Sequence, residues 1–107
     1  MRLRARHDIV LHCEEDCPLS AILRPRSGPD QWVIAERYTI SPSVTAKEYV
    51  DSFGNLCQRY TLPRGDSRIT VESEVEVADQ IAVDRHAPQV PPAMLPDETL
   101  MYLLQSR

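Results

Sequence analysis

A chain of 107 residues with a formal charge of −4 has room for one domain around one modest core, and its acidic balance excludes any global attraction to nucleic acid or an anionic membrane. No apolar stretch approaches the ~20 residues that span a bilayer. Three glycines leave no phosphate-binding glycine loop, and the few aromatics do not interleave with a basic stripe, so single-stranded nucleic acid has no platform either.

The charge is uneven. Residues 1–26 hold five arginines against four acids, whereas residues 72–98 hold seven acids against Arg85 alone. Two solvated strand faces account for this; charge complementarity with a partner domain is the alternative. Arginine at every second position from Arg2 to Arg6 with no apolar core behind it is not a secretory signal. Three cysteines, an odd set, argue against a disulfide framework, and the expected setting is a bacterial-type cytoplasm.

In residues 3–13, Leu3, Ala5, His7, Ile9, Leu11 and Cys13 alternate with Arg2, Arg4, Arg6 and Asp8, which is the period of a half-buried strand. Glu14, Glu15 and Asp16, followed by Pro18, are expected to end it. A short apolar run over residues 21–24 stops at Pro25, Ser27, Gly28 and Pro29, a loop. Residues 32–40 read as a second long strand with Trp32, Ile34, Tyr38 and Ile40 inward; Glu36 falls on that same face and interrupts it. Two further strand-like runs, 47–51 and 56–62, flank Gly54-Asn55, a hairpin signal because both residue types tolerate positive φ. After a turn at Pro63, Gly65 and Asp66 comes the cleanest amphipathic strand. Ile69, Val71, Ser73, Val75 and Val77 alternate with Thr70, Glu72, Glu74 and Glu76. Pro88, Pro91, Pro92 and Pro96 imply an extended linker. From Pro96-Asp97-Glu98, acids in a first turn and leucines at 100, 103 and 104 predict the start of a helix.

Sites with chemistry are sparse. Cys13 and Cys17, separated by three residues, lack a second Cys/His pair at metal spacing, so no zinc site is expected and Cys13 reads as a small hydrophobe. Glu72, Glu74 and Glu76 without a converging loop make a poor calcium site. Cys57 invites comparison with a thiol nucleophile, but it falls inside a strand with no helix N-terminus behind it, and its only downstream histidine, His86, borders the proline segment. It reads as a core residue. No cofactor, metal site or catalytic residue is therefore expected.

The order of segments carries more information than any single one. Arg2-Leu3-Arg4-Ala5-Arg6-His7 is followed by Leu23-Arg24-Pro25-Arg26, a strand ended by Pro42, then Asp51-Ser52-Phe53-Gly54-Asn55, Tyr60-Thr61-Leu62-Pro63 and the strand through Val71 and Val77. This order resembles the N-terminal region of bacterial transglutaminase-like proteins, relatives of the cysteine proteases. The resemblance implies an all-β antiparallel sandwich of about six to eight strands over residues 1–87, a Pro-rich linker over 88–96, and over 97–107 the start of a helix leading to a catalytic domain in the same chain. It implies a non-catalytic accessory domain that packs on and orients that catalytic domain, whose Cys-His-Asp triad has no counterpart here. Asp51, Phe53, Gly54 and Asn55 transfer only as a structural turn. Asp51 is expected to accept backbone N–H groups and Phe53 to fold back on the sheet beside Gly54. Glu36 departs from the apolar residue the pattern expects. The alternative reading is a free-standing module that binds protein or peptide through a sheet edge, and two copies pairing through exposed edge strands would be its simplest form.

Overall fold

The alternating segments become six strands in the computed structural model, which describes residues 1–80 and 83–105. They are β1 (Arg2–Cys13), β2 (Cys17–Ala21), β3 (Gln31–Ser41), β4 (Lys47–Val50), β5 (Leu56–Leu62) and β6 (Gly65–Val77). They form two antiparallel three-stranded sheets, ordered β1-β6-β3 and β2-β5-β4. Cys13, Ile69 and Val71 from the first sheet meet Ala21, Tyr60 and Leu62 from the second in one core, so the molecule is a small all-β sandwich. Among the described strands only β4 and β5 are joined within a sheet; every other connection changes sheet.

Central position decides burial. In β6, Ser67, Ile69, Val71 and Ser73 are buried, while Asp66, Arg68 and Glu76 are exposed. The acidic row on β6 does not stand alone: Arg2, Arg4 and Arg6 lie directly opposite Glu76, Glu74 and Glu72. Contacts of 2.6 Å (Arg6–Glu72) and 3.4–3.5 Å (Arg2 and Arg4 with Glu74) neutralise the two charged rows against each other. Such exposed cross-strand pairs contribute about 0.2–1 kcal/mol each.

Three expectations need correcting. β1 ends at Cys13, directly before the acidic run as expected, but Pro18 is not a strand breaker; it lies inside β2, which is an edge of its sheet, where a residue without N–H is tolerated. Trp32 and Ile34 do not face inward. A bulge between Val33 and Ala35 leaves Ile34 unpaired, so Gln31 and Val33 take the inward side before it, and Glu36, Tyr38 and Ile40 after it. Trp32 is consequently 66% exposed. The C-terminal helix takes 3₁₀ form at Asp97–Leu103, and a further 3₁₀ turn at Pro92–Met94 interrupts the segment expected to be extended. Neither buries a residue, so no packed face favours a full α-helix.

The second sheet is much the shorter, with strands of 4–7 residues against 11–13. It covers only part of its partner. Ile9, Leu11 and Cys13 are partly or fully buried, whereas Leu3, Ala5 and His7 on the same face of β1 are exposed. The radius of gyration is 18.3 Å, against about 13 Å for a compact chain of this length. The accessible surface is 8902 Å², against about 6,100 Å² for a compact monomer of this mass.

Candidate functional site

The β4–β5 loop is organised by one carboxylate. Asp51 Oδ1 accepts the backbone N–H groups of Phe53 (2.9 Å) and Asn55 (2.8 Å), and Oδ2 accepts the Asn55 side-chain amide (3.0 Å). Two backbone bonds close the loop: Gly54 N–H to the Asp51 carbonyl and Asp51 N–H to the Asn55 carbonyl, both 3.1 Å. The Asn55 side-chain amide first, then the backbone donors, hold the Asp51 carboxyl below its usual range. Gly54 adopts φ +81°, and its carbonyl accepts a 2.7 Å bond from Arg26. A Cβ there would come within 3.3 Å of that guanidinium, so both backbone conformation and space favour glycine. Phe53 does not fold back on the sheet. It is 58% exposed and leans, tilted by 60° at 6.1 Å, against Tyr102 of the C-terminal 3₁₀ segment.

A second polar cluster ties the sheets together. Arg24, in the loop after β2, donates two 2.6 Å bonds from Nε and Nη2 to the two oxygens of Glu36 on β3, and its Nη1 reaches Glu48 on β4. Glu48 also accepts from Gln58, a β5 residue only 3% exposed. Tyr38 and Tyr60 hydroxyls meet at 3.0 Å beside it. The Glu36 carboxylate raises the Arg24 pKa further, and burial, with the Tyr60 hydroxyl next, pushes the Tyr38 phenol up. Glu36 therefore does point inward. The interruption of an apolar face is itself the signal of a partly buried ion pair, and Arg24, which belongs to the Leu23-Arg24-Pro25-Arg26 segment, is its partner.

The reactive residue types are not brought together. Cys57 lies on the opposite face of β5 from Tyr60 and Leu62, is 1% exposed, and its Sγ donates to the Asn55 carbonyl at 3.5 Å. It is buried, but outside the cluster formed by the other core residues. The backbone N–H of His86 bonds to Asp84 in an exposed turn, and His12 Nδ1 pairs with Asp66 at 2.6 Å. Among the described residues no histidine is hydrogen-bonded to a cysteine sulfur, and no group of three or more His, Cys, Asp or Glu is arranged to hold a metal. No described helix is long and apolar enough to cross a membrane.

Comparison with known proteins places this architecture. No curated protein matches the chain. A solved structure described as "a Putative Cysteine Protease from Cytophaga hutchinsonii" superposes with a TM-score of 0.69 at 14% identity, over 100% of this chain. This chain spans 40% of the length of that protein, and the likeness is one of fold. The family model for the bacterial transglutaminase-like N-terminal region matches residues 15–78, which take in β2 to β6 with both polar clusters. The chain belongs to the bacterial transglutaminase-like N-terminal region family.

Proposed function

We propose that this chain is a non-catalytic accessory domain of a bacterial transglutaminase-like protein, packing on and orienting a catalytic domain that follows it in the same chain. The observation that carries this reading is the state of Cys57, sealed at 1% exposure with a backbone carbonyl as its hydrogen-bond partner. A thiol nucleophile needs an adjacent imidazole and a path for substrate, and Cys57 has neither among the described residues. The amide chemistry implied by the family, hydrolysis or transfer, then belongs to residues of the catalytic domain. The share of the matched protein that this chain spans supports a larger whole, as does an accessible surface well above that of a compact monomer. Incubated with a glutamine-containing peptide and a primary amine, the chain releases no ammonia and incorporates no amine. Turnover that disappears in Cys57→Ala overturns the proposal.

A second reading, a binding module acting through a sheet edge, is favoured by β1, a twelve-residue strand with one edge unpaired among the described residues. Sedimentation of the chain separates the two: a concentration-dependent dimer supports edge pairing, and a monomer throughout removes its simplest form.

A further inference from the structure

The corner between β1 and β2 brings two thiols to one end of the core from opposite sheets. Strand alternation places Cys13 on the core side of β1 with Ile9 and Leu11, and Cys17 on the core side of β2 with Leu19 and Ala21. All six belong to the same apolar cluster. The register narrows the geometry further. Cys13 lies opposite Gly65 and Cys17 opposite Leu62, and only Pro63 and Arg64 separate those two partners. Both cysteines thus sit where the chain changes sheet. The three-residue bridge between them is held by the Asp16 carboxylate, which accepts the Arg64 N–H at 3.1 Å. The Cys17 Sγ directs its S–H to the Pro18 carbonyl at 3.8 Å, and burial first, then the neighbouring Cys17 thiol, push the Cys13 thiol up.

We propose that Cys13 and Cys17 form a dithiol pair that closes to an intramolecular disulfide when the protein meets a small-molecule disulfide such as oxidised glutathione. Cys17, the more exposed of the two, reacts first. Its thiolate attacks one glutathione sulfur, forming a mixed disulfide and expelling one glutathione thiolate. The Cys13 thiolate then attacks the Cys17 sulfur, forming the Cys13–Cys17 bond and expelling the second glutathione. The two cysteine thiols lose two protons and two electrons in all, and both appear on the two glutathione thiols released. The third cysteine, Cys57, has no place in this exchange, because it is 1% exposed and faces away from the core on β5. In a reducing cytoplasm the bond would be a reversible response to oxidant, staying open at rest.

The native chain is equilibrated with oxidised glutathione, quenched in acid, unfolded, alkylated and digested with trypsin. The peptide containing both Cys13 and Cys17 is expected to lose two hydrogens and take up no alkyl group, while the Cys57 peptide is fully alkylated. Alkylation of both Cys13 and Cys17, a stable glutathione adduct without closure, or a cross-link to Cys57 overturns the proposal. Cys13→Ser is expected to trap glutathione on Cys17, and an unmodified Cys17 in that variant contradicts the stated order of attack. The unsubstituted chain decides the closure itself even if Cys13→Ser does not fold.

Discussion

At the corner end of the sandwich, β5 and β6 present Leu62 and Ile69, which are 0% and 1% exposed. Four residues away along the same two strands, the inward positions are Gln58 and Ser73, buried to nearly the same degree, and here Arg24, Glu36 and Glu48 join the sheets. The apolar end supplies free energy without direction, since any closely packed hydrophobe gains from leaving water. The polar end supplies direction: a guanidinium held by both oxygens of Glu36 is satisfied in one arrangement of β3 against β4. Desolvation offsets much of the attraction in such a pair, so its main physical role is to fix how the sheets meet.

Substitutions at the two ends separate these roles. Leu62→Ala is expected to cost the most, about 3–5 kcal/mol by denaturant unfolding, because a fully buried side chain leaves a cavity between the sheets. Arg24→Met strands Glu36, whose side chain is 13% exposed, and should cost about 2–3 kcal/mol. Adding Glu36→Leu to Arg24→Met should recover most of that loss, since an apolar pair removes the unpaired charge. A double variant as unstable as the single one would show that the ion pair gives stability as well as direction. Asp51→Ala should lower the thermal midpoint by less than Arg24→Met, and in a pH-dependent way. The folded carboxyl titrates below its usual range, so its contribution is present at neutral pH and is lost as pH falls through the lowered folded value. The gap between the parent chain and Asp51→Ala should therefore close in acid. Trp32→Ser should change stability least, within about 0.5 kcal/mol, because the indole lies outside the core.

Sequence pattern revealed the parts of this fold that local physics governs. The alternation in β1 and β6 follows from one solvated and one core-directed face, and Gly54 sits in the connection between β4 and β5 because that loop needs positive φ there, whereas Asn55 keeps negative φ. What stayed hidden depends on partners distant in sequence. Periodicity carries no sign of the bulge at Ile34, so it puts Trp32 on the wrong face. Pro18 is compatible with a strand only because β2 is an edge, a property of the assembled sheet. Leu3 and Ala5 satisfy the inward pattern yet stay exposed, because the second sheet is too short to reach them. Of the polar clusters, the Asp51 turn was visible as a contiguous motif. The Arg24–Glu36–Glu48 cluster was not, because its members come from three separate segments; only the misfit of Glu36 hinted at it.

Whether this chain is a scaffold with its thiol sealed away is tested most directly by the rate at which Cys57 reacts with iodoacetamide in the native protein. The structure predicts that Cys57 is alkylated no faster than the chain opens, far more slowly than in urea-unfolded protein. Alkylation of native Cys57 at a rate equal to or above that of the unfolded chain would contradict it.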